Sequence, residues 1–199
     1  MKTRILCFAV AAATVAALSS PMLAGEKGKK DDPLAGMTKP GPEHKLLASL
    51  EGTWIAEVKM WMDPTEPSKV VESKGVLKRK MIMDGRFLQE KFTGEFFGQK
   101  FEGMGIMGYD QNKKKYVMTW IDNFDTSIMM SEGTYDAGKK YLTFIGEEVS
   151  PKGKMKTRDV LHIASEDEQH FGMYRTPEGG KEMKVMQITY KRSKGKEEK

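Results

Sequence analysis

The sequence predicts an all-β fold, a single antiparallel up-and-down β-barrel of about ten strands with a short N-terminal helix. Three observations carry this. From Gly52 onward, apolar residues recur with a period of two, as in strands with one buried face. Turn signals recur every 8–15 residues, too closely for a series of helices. Just upstream, Leu46, Leu47 and Leu50 recur at helical spacing. A helix that short is stable only when packed on something, and the open end of a barrel offers such a surface. Consecutive hairpins with the helix at one end favour a barrel over a sandwich.

The N-terminus reads as a secretory signal peptide. Lys2 and Arg4 form a basic segment, and Ile5 to Leu18 is an uncharged apolar run, too short for a stable membrane anchor. Cleavage is expected after Ala24, with Ser19 as the alternative, giving a secreted or periplasmic protein. Cys7 is the only cysteine and lies inside this segment. The mature chain therefore has no thiol, which excludes a cysteine nucleophile, a thiolate metal site and any disulfide. Removing residues 1–24 takes away two positive charges and no negative ones, so a net charge of +5 becomes +3. The basic residues are interleaved with acidic ones along the whole chain, so no nucleic-acid partner is expected.

Residues 25–42 read as a charged, Gly- and Pro-bearing linker, disordered to about Pro40. Residues 43–50 form the helix, with Pro42 at its first turn and Glu43 favouring its N-terminal dipole. On the first strand Trp54, Ala56, Val58, Met60 and Met62 share one face, with Ile55 and Trp61 as apolar exceptions on the other. The second strand spans 69–83, with Val71, Leu77 and Met81 on one parity, and Asp84-Gly85 turns into a third from Arg86 to about Thr93. The segment from Phe96 to Tyr109 carries Gly98, Gly103, Gly105 and Gly108, so a bend or a close approach to another backbone is expected there. Further strands are expected at 115–123, 126–135, 141–149, 155–164, 169–175 and 182–191, before a charged tail at 193–199.

Two resemblances become visible on these residues. Gly52-Thr53-Trp54 at the start of the first strand, behind a short helix, looks like the lipocalin and calycin signature. That resemblance implies that Trp54 closes the base of the barrel and that a basic residue after the last strand, here Arg192, covers it. The wider pattern resembles the DUF1579 family of bacterial proteins. It includes Gly41-Pro42-Glu43-His44, Leu50-Glu51-Gly52-Thr53-Trp54, Asp84-Gly85-Arg86-Phe87-Leu88, Gly108-Tyr109-Asp110 and Tyr190-Lys191-Arg192, and covers residues 41–192 as one domain. The resemblance implies a lipocalin-like barrel and no particular activity. Related haem-binding barrels use a histidine on late strands, and none is well placed here, so no cofactor is implied.

Candidate functional residues follow from strand parity. Tyr116, Met118, Trp120 and Asp122 share one face of their strand, so inward aromatics bring an inward carboxylate with them. Met60 shares the Trp54 face. Arg86 is either a turn residue or an anchor for an anionic group, since its planar fork suits carboxylates. Tyr109 joins it as a head-group candidate, and His44 is placed at the mouth if the helix borders the pocket. His162 and His170 flank a hairpin and lack a third ligand, so no metal site is expected. No phosphate loop, Ser/His/Asp order or zinc-helix motif occurs. The first functional expectation is a carrier of a small apolar or amphipathic molecule with a polar or anionic head. The alternatives are an enzyme using Asp122 or His44 as acid or base, and an envelope interaction module using exposed residues such as Trp61.

Overall fold

A computed structural model of the chain describes residues 39–63, 66, 68–150 and 153–195. The expected signal peptide, nearly all of the expected linker and residues 196–199 of the tail lie outside the described residues. Ten antiparallel strands close into one barrel: β1 (Gly52–Trp61), β2 (Val70–Ile82), β3 (Phe87–Phe96), β4 (Gln99–Asp110), β5 (Lys115–Asp122), β6 (Met129–Asp136), β7 (Tyr141–Ser150), β8 (Gly153–Ile163), β9 (Glu168–Pro177) and β10 (Met183–Arg192). Each strand pairs with its sequence neighbours, and β1 pairs with β10 from Trp54 opposite Arg192 to Met60 opposite Met186. Closure leaves no free sheet edge.

One helix, α1 (Pro42–Ser49), precedes the barrel. Its start is capped reciprocally. The His44 amide donates to the Gly41 carbonyl at 3.1 Å, and the Gly41 amide donates to His44 Nδ1 at 2.9 Å. A histidine thus takes the place that glutamate usually holds in such a cap. Leu47 and Leu50 are fully buried, and α1 packs against β2, β3 and β4. Each such leucine contributes about 1.5–3 kcal/mol by burial, which is what holds so short a helix in place.

Trp54 lies beneath this helix and is fully buried. Its Nε1 donates to the Leu50 carbonyl at 3.1 Å, and the Arg192 guanidinium stands 4.2 Å from its ring centroid. Arg192 also donates to the carbonyls of Glu51 at 2.5 Å and Glu166 at 2.8 Å, tying the helix end to the β8–β9 hairpin. Gly52 is required at this spot. Its φ is +123°, and an added Cβ would lie 2.5 Å from Arg192 Nη1. With Leu88, Leu142 and Leu161, also buried, these residues plug one end of the barrel.

Three local expectations are corrected. The third strand runs on to Phe96 and turns at Phe97-Gly98, both at positive φ (55° and 73°), so β4 starts only at Gln99. Met62 lies beyond β1 and is 61% exposed, not on the inner face. The β4 glycines meet another backbone first only at Gly105, where a Cβ would lie 2.8 Å from the Thr119 carbonyl oxygen; Gly103 and Gly108 face aromatic rings instead. A Cβ at Gly103 would lie 2.2 Å from Trp120 Cζ2, and one at Gly108 would lie 2.7 Å from Phe87 Cδ1. Missing side chains here make room for aromatic rings on adjacent strands.

Candidate functional site

The connections β1–β2, β3–β4, β5–β6, β7–β8 and β9–β10 lie at the end of the barrel opposite α1. A cavity of about 360 Å³ occupies the lumen on that side. Its wall takes side chains from all ten strands. Phe97 on the β3–β4 turn and Phe124 on the β5–β6 connection line it while remaining 55% and 46% exposed, so the entrance itself is apolar. A separate depression of about 510 Å³ lies outside the wall over β5, β6 and β7, bordered by Lys113, Lys115, Glu132 and Thr134. It is an open surface feature over mostly exposed side chains, with the exposed ion pair of Lys113 and Glu132 at its edge.

Period-two alternation puts the wall in place. Met60, Met118 and Trp120 line the cavity, as their strand parity predicts, and Asp122 joins them at the rim. Trp120 Nε1 donates to Asp122 Oδ2 at 3.0 Å, and the amides of Phe124 and Asp125 donate to Oδ1 at 2.9 and 3.2 Å. Asp122 therefore has both oxygens engaged, and it holds the Trp120 ring over Gly103. Phe144 lies over Gly133 in the same way, where a Cβ would stand 2.6 Å from its Cδ1. Rings held against glycines on neighbouring strands occupy less of the lumen.

The remaining predicted residues stand elsewhere. Arg86 sits on the β2–β3 turn, where Nη1 donates to the Met83 carbonyl at 3.0 Å and lies 3.6 Å from exposed Asp84. It does not enter the lumen. His44, Tyr109 and Tyr116 belong to the plugged end: the His44 and Tyr109 rings meet edge-on at 6.2 Å, and the two tyrosine rings at 5.0 Å. None of the three lines the cavity. Burial first, and the charge of Glu43 second, raise both phenols, Tyr116 to about 12. His162 and His170 are register partners with rings 6.0 Å apart, on the outer face beside Tyr141.

Two buried arginines that the sequence pattern did not single out organise the buried carboxylates of the lumen. Arg79 on β2 donates through Nε to Glu90 Oε1 at 2.5 Å and through Nη1 to Gln169 Oε1 at 2.6 Å, with its guanidinium carbon 5.4 Å from the Tyr190 ring centroid. Arg175 on β9 donates through Nε to Glu148 Oε2 at 3.0 Å and through Nη1 to Asp159 Oδ1 at 2.8 Å. Arg79, Glu90, Arg175, Glu148 and Asp159 all line the cavity. Burial pushes Asp159 above the usual carboxylate range despite its arginine partner. Burial likewise raises the Tyr190 phenol. The signal for Arg79 was its parity, since it falls between inward Leu77 and Met81. Arg175 follows inward Phe171 and Met173 in the same way.

Residues 39–192 match the family described as a protein of unknown function, DUF1579. The chain belongs to the DUF1579 family. Two solved structures share the barrel of this DUF1579 protein. Rv2717c from M. tuberculosis is 10% identical, aligns over 78% of this chain and 100% of its own, and gives a TM-score of 0.56. The S-type phycobiliprotein lyase CPES from Guillardia theta is 10% identical, with coverage of 77% and 94% and a TM-score of 0.50. At such identities the likeness is one of fold alone. No curated protein matches.

Proposed function

We propose that this DUF1579 protein carries a small, largely apolar molecule with a neutral, hydrogen-bonding head in its lumen. One observation carries the reading. A cavity of about 360 Å³, within the size range of small-molecule sites, is walled by methionine and aromatic side chains and has its polar groups gathered into prearranged clusters. The apolar entrance at Phe97 and Phe124 supports the same ligand chemistry. Methionine walls adapt to irregular shapes.

Lumen charge separates the two head groups expected from the sequence. Both guanidiniums are already held by carboxylates, and Glu90, Asp122, Glu148 and Asp159 outnumber Arg79 and Arg175. An anionic head would meet an excess of negative charge and no free cation among these groups, whereas a neutral head can accept from the guanidiniums or donate to the carboxylates. Acid–base chemistry through His44 and Asp122 has little support. His44 lies at the plugged end, and Asp122 has both oxygens engaged. The proposal includes export, resting on the basic and apolar segments of residues 1–24.

A matched pair of fluorescent probes, one neutral and one carboxylated, tests the ligand chemistry. The neutral probe should bind saturably and at least tenfold more tightly. Equal or stronger binding of the carboxylated probe contradicts the assigned head group. N-terminal sequencing of protein from fractionated cells tests export, and an intact Met1 in the cytoplasmic fraction contradicts it.

A further inference from the structure

We propose that Met60, Met173 and Met186 form a thioether site for a soft monovalent cation, copper(I), with silver(I) as its redox-inert analogue. Methionine is common in this chain, 16 of 199 residues, so its presence in the lumen decides nothing alone. Its arrangement does. Met60 on β1 is the register partner of Met186 on β10, and Met186 is the register partner of Met173 on β9. All three line the cavity. They form an unbroken row across three paired strands on the inner face.

Geometry and ligand chemistry agree on what such a row can hold. Inward side chains on directly opposite residues have Cβ atoms about 4.5–5.5 Å apart. A methionine has three rotatable bonds beyond its Cα, so neighbours at this spacing can turn their sulfurs onto one centre between them. Thioethers are neutral, soft donors that select copper(I) over zinc or magnesium. Among the described residues, no group of three His, Cys, Asp or Glu is arranged to hold a metal, so no harder site competes. Charge favours a cation as well. Asp159 on β8 is the register partner of Met173 and continues the row; Arg175 already pairs with it at 2.8 Å, and the carboxylates lining the lumen still outnumber its guanidiniums. Met107 and Met118 face each other across β4 and β5 on another part of the wall. That pair offers two donors and serves as an internal control.

The site is separable from apolar carriage, because leucine keeps the volume and apolarity of methionine and removes the sulfur. The full mature chain is titrated anaerobically with copper(I) held by a chromogenic chelator. Wild type should withdraw one equivalent of metal. Met60→Leu/Met173→Leu/Met186→Leu should lose at least tenfold in affinity while keeping the circular dichroism spectrum and melting transition of the folded barrel. Met107→Leu/Met118→Leu should leave copper(I) affinity within about twofold. In parallel, silver(I) added to wild type with labelled methionine methyl groups should shift the resonances of Met60, Met173 and Met186 together, a readout that needs no variant to fold. No withdrawal of copper(I), equal affinity in the triple variant, or silver(I) shifts confined to other methionines would overturn the proposal. No uptake of a neutral apolar probe by wild type, with copper(I) binding intact, would count against the carrier reading and leave the metal site standing.

Discussion

Replacing Trp54 by alanine tests the closed end of the barrel. The ring is fully buried, and removing such a ring costs about 3–5 kcal/mol once the residual cavity is included. That figure contains the lost bond from Nε1 to the Leu50 carbonyl, about 1 kcal/mol, and the lost stacking of Arg192, about 1 kcal/mol. For a domain of this size each kcal/mol lowers the melting temperature by about 2–4 °C, so a fall of roughly 6–20 °C is expected. Urea unfolding followed by far-ultraviolet circular dichroism gives the free energy directly. Arg192→Met keeps the aliphatic stem and removes the guanidinium. A double-mutant cycle with Trp54→Ala should then return a coupling of about 1 kcal/mol. Because Trp54 does not line the cavity, probe affinity well below the melting temperature should stay within about twofold of wild type. A loss of stability under about 1 kcal/mol, or no coupling to Arg192, would refute the plug.

Further perturbations separate buried charge from surface charge. Arg79→Ala leaves Glu90 buried without its cation and should cost about 3–5 kcal/mol, measured by urea unfolding. Arg86→Ala, at an exposed turn, should change stability by less than about 0.5 kcal/mol in the same assay. Gly103→Ala drives a Cβ into the Trp120 ring and should push that ring into the lumen, weakening probe uptake and shifting Trp fluorescence. Tyr116 has its folded-state value raised from 10.0 to about 12, so the unfolded chain ionises first. Its stabilising effect is complete below pH 10 and is lost as pH rises from 10 towards 12. Tyr116→Phe should blunt that alkaline loss in a pH-dependent unfolding series.

Much of the fold could be read from residue order, because a barrel of consecutive hairpins needs only the inward parity of each strand and a turn between strands. Both were local signals here, as in Trp54-Ala56-Val58 and Asp84-Gly85. The candidate site was legible only in part. Met60, Met118, Trp120 and Asp122 are inward by parity and do line the lumen. Which end of a barrel is plugged depends on how α1 folds back over β2, β3 and β4, and that is a long-range matter. His44 was therefore placed at a mouth, Tyr109 at a ligand head group and Tyr116 on the pocket wall, when all three belong to the plug. Arg79 was hidden for another reason. Lys78-Arg79-Lys80 reads as a solvated basic run, and only its partners Glu90 and Gln169, 11 and 90 residues away, make its burial tolerable. Phe97-Gly98 was missed as a turn because a phenylalanine at positive φ is uncommon.

The central claim is that the lumen is hollow and takes up a small molecule. Titrating a neutral apolar fluorescent probe into wild type and into Ser131→Phe tests it most directly. Ser131 is buried on the cavity wall opposite Met118, so the added ring is directed into the empty space. The account predicts saturable uptake by wild type, and its loss in Ser131→Phe with the circular dichroism spectrum unchanged. No uptake by wild type, or equal uptake by a folded Ser131→Phe, would contradict it.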